Sequence, residues 1–154
     1  MYEWHCKKYE QLSLDELYEI LKIRQEIFIV EQDCAYLDAD GLDKNSWHLF
    51  VQKSDDSESS RITAYLRVVF PKHKYQEPSI GRALTSKESR GSGLGKELTK
   101  KALLLIEKEY PSQVTRISAQ LYLQRFYEKL GFTAVCKPYD DQDGIAHIEM
   151  LKSK

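Results

Sequence analysis

Apolar positions along the chain recur with two periods, every second residue and every third or fourth, and the alternation between them sets out the elements. Residues 2–9 alternate weakly and read as a first strand. Ser13-Leu14-Asp15-Glu16 places a serine N-cap three residues before a glutamate, a capping box that opens a helix. Leu14, Leu17, Tyr18, Leu21 and Phe28 keep helical spacing to about Glu31, with one polar interruption at Arg24 and Gln25. A polar, turn-rich loop, "QDCAYLDADGLDKNS", follows. "WHLFVQK" (47–53) and "RITAYLRVVF" (61–70) read as strands, with "SDDSESS" between them as an exposed hairpin connection. After the turn region "PKHKYQEPS", the short strand "IGRALTS" (80–86) runs almost directly into "SRGSGLGKE" (89–97). Leu94, Leu98, Ala102 and Leu105 then define an amphipathic helix over 94–109, ended near Pro111. "VTRISAQ" (114–120) is a further strand, and Leu123, Phe126, Tyr127 and Leu130 mark a helix closed by Gly131. "TAVCKPY" and "AHIEMLK" form a terminal hairpin around "DDQDG".

The order β-α-loop-β-β-β-α-β-α-β-β describes a mixed α/β domain with antiparallel central hairpins and a later βαβ unit. At 154 residues, without repeat or linker, it reads as one domain over 1–154. Lys and Arg number 23 against 24 Asp and Glu, so there is no basic excess to neutralise nucleic acid or an anionic membrane. The longest aliphatic run, Ala102 to Ile106, is far short of the roughly 20 residues of a membrane span. The N-terminus carries no apolar secretion segment, and Cys6, Cys34 and Cys136 are odd in number and scattered. Reduced thiols in a cytoplasmic protein are the expectation.

Three glycines fall between positions 91 and 95, directly ahead of the long helix. A Walker A loop fails, because Gly95-Lys96 is followed by Glu97 and Arg90 stands where the first glycine belongs. A dinucleotide fingerprint fails on the 91, 93, 95 spacing. Arg-x-x-Gly-x-Gly, met by Arg90, Gly93 and Gly95, suits a pyrophosphate held by backbone N–H groups at a positive helix terminus. Taken alone, this hexapeptide competes on equal terms with a glycine-rich turn that binds nothing.

With "SAQLYLQRFYEKLGF" some 30 residues downstream, the chain resembles the GNAT acyltransferase superfamily, which transfers acetyl from acetyl-coenzyme A to amines. "LYEILKIRQEIFIVEQDCAYLDADGLD", "HLFV", "AYLRVV", "IGRALTS" and "DGIAHIEM" extend the similarity to the ElaA-type branch over nearly the whole chain. The resemblance implies a single-domain GNAT fold: a mixed, mostly antiparallel sheet with flanking helices and splayed central strands. It implies acetyl-CoA as donor, with Ala83, Leu84 and Thr85 beside the pantetheine arm and a backbone N–H polarising the thioester carbonyl. Arg90, Gly91, Ser92, Gly93, Leu94, Gly95 and Lys96 would hold the pyrophosphate. Tyr127 occupies the position of a general acid for the thiolate, and Gln120 stands where the family often has Asn.

The family has no single fixed base, so Glu31, His48, His147 and Glu149 stand as candidates to deprotonate the amine, directly or through water. Acidic residues over 31–43 suggest a small cationic acceptor. Asp38, Asp40 and Asp43 do not fit a calcium loop, since the twelfth position from Asp38 is Leu49; Asx turns explain them better, and no metal is expected. Arg67 and Arg82 read as structural partners for those carboxylates or as anion binders. Cys34 lacks a triad. The reading is an N-acetyltransferase for a small amine, with a non-catalytic acyl-CoA sensor as the alternative and an ATP- or NAD-binding regulator as a third; a homodimer is expected from exposed edge strands.

Overall fold

The computed structural model describes residues 1–54, 60–141 and 144–153. Strand β1 spans Tyr2–Lys8, β2 Ser46–Lys53, β3 Arg61–Val69, β4 Ser79–Thr85, β5 Thr115–Gln120, β6 Thr133–Ala134, β7 Tyr139–Asp140 and β8 Ala146–Lys152. They form one open sheet in the order β1-β2-β3-β4-β5-β8-β6, with β7 also on β8. Every neighbouring pair is antiparallel except β4 and β5, the two strands joined by the crossover helix. The expected α/β architecture is therefore the observed one.

Helix α1 (Leu14–Arg24) starts at the expected capping box: Ser13 Oγ accepts from the Glu16 N–H at 3.0 Å, and Glu16 Oε1 accepts from the Ser13 N–H at 2.8 Å. It continues to Glu31, as the pattern predicts, but as a wider π-helical stretch over Gln25–Glu31. Helix α2 covers Leu94–Glu109, and α3 is a short Gln124–Glu128 piece followed by Gly131 at φ 99°. The segment expected as one strand over 133–139 is two two-residue pieces on β8, β6 and β7, separated by residues 135–138. Pro138 cannot donate to a ladder. Most of the "SDDSESS" connection (55–59) and two residues of the "DDQDG" turn (142–143) lie outside the described residues.

Alternation along β2 and β3 divides the core between the two faces of the sheet. Leu49, Val51, Leu66 and Val68 face α2 and α3, packing with Leu94, Leu98, Ala102, Ile106 and Tyr127. Phe50 and Tyr65 face the other way, with Ile20, Ile23 and Phe28 of the first helix. No helix among the described residues is long and apolar enough to cross a membrane.

Candidate functional site

Two strands that pair at one end only make the site. β4 and β5 meet at Ser79 and Arg116, where the Arg116 N–H donates to Pro78 O at 3.0 Å, and then diverge. β5 instead pairs along its length with β8, from Thr115–Lys152 to Gln120–His147. The divergence opens a cleft of about 1110 Å³. Leu98, Phe126 and Tyr127 line it on the side of α2 and α3, and Phe28, Glu31, Gln32 and Tyr36 on the side of the first helix and its loop. Its lining thus comes from both faces of the sheet.

One wall is shaped by a bulge. Tyr65 pairs with Leu84 and Arg67 with Gly81, so Arg82 and Ala83 together oppose Leu66. Arg82 takes φ 51°, left-handed for a residue with a Cβ. The extra residue breaks the ladder at Arg82 and Ala83, both of which line the cleft, as do Leu84 and Thr85.

At the end of β4 the chain enters the glycine loop. Gly91 and Gly93 adopt φ 80° and 86°, which the turn requires. Gly93 is the N-cap of α2 and, unlike Ser13 at α1, offers no side chain to the first turn. The first amide bonded within the helix is Glu97 N–H, to Gly93 O at 3.1 Å. The amides of Leu94, Gly95 and Lys96 precede it and remain for an anion. Gly95 lies against β4, where a Cβ would come within 3.1 Å of Thr85 Oγ1. These features fit a pyrophosphate-bearing donor. Ser92 Oγ is turned inward to Ser89 O at 2.5 Å, and exposed Lys96 lies outside the cleft lining.

Arg90 and Glu31, 59 residues apart, meet across this mouth with Nη1–Oε1 and Nη2–Oε2 distances of 2.5 and 2.7 Å. Hydrogen bonding from Arg90 holds the Glu31 carboxyl below its ordinary value. Gln120 Nε2 donates to Gln32 Oε1 at 3.2 Å, joining β5 to the end of the first helix. Tyr127 is buried against Phe126 and Phe132, and burial pushes its hydroxyl up to about 12, keeping it protonated at neutral pH. His147 lines the cleft, with Nδ1 donating to Ile145 O at 2.7 Å, which leaves Nε2 as the basic nitrogen of the neutral ring.

Two base candidates lie elsewhere. His48 is fully buried: Nε2 donates to Asp43 O and Nδ1 accepts from Tyr65 Oη, both at 2.8 Å, so neither nitrogen can reach an acceptor. Glu149 is outside the cleft lining and pairs with Arg116 at 3.4 Å. The acidic loop pairs with Arg67 and Arg82 as the structural reading expects, and with Arg24 as well. Asp38 binds Arg24 and Arg82, Asp40 binds Arg67 and Arg82, and Asp43 binds Arg24 and Arg67, at 2.5 to 3.4 Å. Three carboxylates are matched by three guanidinium groups, so Asp38, Asp40 and Asp43 are structural partners of Arg24, Arg67 and Arg82. Burial alone would raise Asp43, but Arg24 and Arg67 outweigh it and hold it low. Among the described residues no cluster of His, Cys, Asp or Glu is placed to hold a metal. Cys34 is buried with its thiol on Gln32 O.

Sequence reasoning missed Lys74, Tyr75 and Tyr139 of the lining. Arg24 was legible only as the polar break in an apolar helix face.

A sheet parted beside an uncapped helix terminus, with a protonated phenol in the gap, defines an acyltransferase of the class that takes acyl groups from coenzyme A. The acetyltransferase (GNAT) domain family matches residues 43–154. The chain belongs to the GNAT acetyltransferase family, in its ElaA-type branch. It is 47% identical over 148 residues to the UPF0039 protein sll0451 of Synechocystis, covering 96% of this chain and 93% of that one. It is 34% identical to protein ElaA of Escherichia coli, covering 99% and 97%. The crystal structure of ElaA superposes with a TM-score of 0.89, covering 99% and 100%. That of an acyl-CoA N-acyltransferase from Pseudomonas aeruginosa gives 0.88 at 37% identity and the same coverage.

Proposed function

We propose that the protein is an acetyl-CoA-dependent N-acetyltransferase that moves acetyl directly to the amine of a small acceptor. The observation that carries this reading is the parting of β4 from β5 beside the free amides of α2, with Tyr127 buried in the gap. The 37% identical structure described as an acyl-CoA N-acyltransferase supports the same donor class.

The donor supplies an acetyl thioester, whose carbonyl carbon takes the amine and whose thiolate leaves. The chain's part is positioning and proton transfer. The amides of Leu94 to Lys96, with Arg90, hold the phosphates. Thr85, Leu84 and Ala83 place the arm along β4, and the amides freed by the bulge stand where negative charge develops on the carbonyl oxygen. Tyr127 gives its proton to the departing sulfur; burial keeps its hydroxyl protonated at neutral pH until the thiolate leaves. Of the base candidates, Glu31 and His147 line the cleft. Glu31 is held by Arg90 as a weak base, so His147, directly or through water, is the better placed to take the ammonium proton.

Acetyl-CoA should raise the melting temperature, where ATP and NAD leave it unchanged. Amine-dependent release of coenzyme A should fall by about 10²–10⁴-fold in Tyr127→Phe, the range for a lost general acid, with coenzyme A binding retained. Tight binding without turnover on a broad amine panel would favour a non-catalytic sensor, and stabilisation by ATP alone would refute the donor assignment.

A further inference from the structure

One residue inside the sheet combines a strained backbone with a side chain that is tied down. Resting on the acetyltransferase reading, we propose that Arg82 is a positioning residue: its ion pairs with Asp38 and Asp40 hold the β4 bulge so that the amides freed there face the thioester carbonyl.

Among the described residues, the non-glycine positions with positive φ are Asp33 at 53°, Lys72 at 70° and Arg82 at 51°. Asp33 and Lys72 stand in turns between elements. Arg82 stands in the middle of a strand, where a left-handed backbone brings its Cβ against the following carbonyl oxygen. The adjacent Gly81 would carry that conformation without steric cost, yet it does not take it. Local preference therefore does not hold Arg82 in place, and its side chain supplies what does. Nε lies 2.8 Å from Asp38 Oδ1, and Nη2 donates to Asp38 O at 3.1 Å and to Asp40 Oδ2 at 3.4 Å. The guanidinium also lies 5.6 Å from the ring of Tyr36.

The anchors are themselves fixed. Arg24 holds Asp38 through its carboxylate at 2.9 Å and its carbonyl at 3.0 Å, and Arg67 holds both oxygens of Asp40 at 2.8 and 2.5 Å. Both arginines are buried, one on α1 and one on β3. An ion pair between two free side chains holds little, because both must first be ordered. Here the carboxylates are already ordered, so their pull on Arg82 acts on its backbone. That backbone is where the ladder opens: Arg82 and Ala83 fall between the ladder pairs of Gly81 and Leu84, at a point where β5 has parted from β4. Both residues line the cleft. An amide aimed in advance at a developing oxyanion stabilises it without reorganisation, and one that must first reorient loses that advantage.

The test compares Arg82→Ala with Arg82→Gly, using acetyl-CoA as donor and a panel of primary amines as acceptors. Both variants remove the side chain and its ion pairs, and they differ in whether residue 82 accepts a left-handed backbone unaided. In Arg82→Ala kcat should fall by about 10²-fold, the range for a displaced catalytic group, with KM for acetyl-CoA unchanged. Arg82→Gly should recover at least about tenfold of that loss, because the backbone returns to its place without an anchor. Equal losses in the two variants overturn the proposal. A loss confined to KM for the amine also overturns it, since Arg82 would then be an acceptor-binding residue. Melting temperatures without substrate separate this proposal from the reading it rests on. Arg82→Gly melting above Arg82→Ala, in a protein whose wild type acetylates no amine, supports the anchor while refuting the transferase. Wild-type turnover with Arg82→Ala as stable and as active as Arg82→Gly does the reverse.

Discussion

Arg24 and Arg90 each face carboxylates at closely similar distances, and burial alone should make one of them several times more important to stability than the other. Arg24 is completely buried, with Nε 2.9 Å from Asp38 Oδ2, Nη1 2.7 Å from Asp43 Oδ1 and Nη2 3.0 Å from Asp38 O. Arg90 and Glu31 are 2.5 Å apart with side chains 44% and 38% exposed. Removing one partner of a buried pair costs about 3–5 kcal/mol, because a charge stays behind without water. Asp38 would keep Arg82 and Asp43 would keep Arg67, so Arg24→Met belongs at the lower end, about 3 kcal/mol. The exposed pair is worth at most about 1 kcal/mol. For a domain of this size each kcal/mol moves the melting temperature by about 2–4 °C, which gives about 6–12 °C for Arg24→Met and at most about 4 °C for Arg90→Met.

Arg24→Lys supplies the control. It keeps the charge but replaces a three-donor fork by one ammonium, and should fall between wild type and Arg24→Met. The measurement is thermal and urea unfolding of the three variants with unchanged urea slopes, so that the midpoints report stability. Equal shifts for Arg24→Met and Arg90→Met would refute the reasoning, since they would mean that the six-charge set is no more than a surface array. The same result would remove the argument that the acidic loop is a structural partner of the arginines.

Two further outcomes follow from local geometry. His48 is held neutral by burial, so its contribution is complete above the ordinary histidine value and is lost as pH falls below it; Asp40 and Asp43, held low by arginines, lose theirs only below the ordinary carboxylate range. Acid unfolding followed by urea midpoint should therefore decline in two stages, near pH 6 and again below about pH 4, with His48→Gln removing the upper one. Gly93→Ala meets open space around its new Cβ but must hold φ 86°, so it should lose about 1–2 kcal/mol of stability. It should also weaken coenzyme A more than pantetheine, which lacks the phosphates; equal weakening of both would detach the glycine loop from phosphate binding.

What the sequence revealed and what it withheld divide along a physical line. Helix α2 was legible at both ends, Leu94 and Glu109, because its apolar stripe and the flanking Gly93 and Pro111 are all local. The glycine loop was legible for the same reason: spacing along the chain excludes the competing phosphate loops. The parting of β4 from β5 is not written in either strand, since "IGRALTS" and "VTRISAQ" read as ordinary strands wherever their neighbours lie; only the family resemblance supplied it. Charge was legible in part, since Arg67 and Arg82 read as partners of the loop carboxylates while Arg24 read only as a polar break. "DADGLD" shows three aspartates, but their meaning depends on Arg24, Arg67 and Arg82, which stand 14 to 44 residues away and arrive only when the helix, β3 and β4 pack together. A count of acidic residues near a site fixes the sign of its field only if their counter-ions lie outside it. Here the counter-ions of Asp38, Asp40 and Asp43 stand beside the acids.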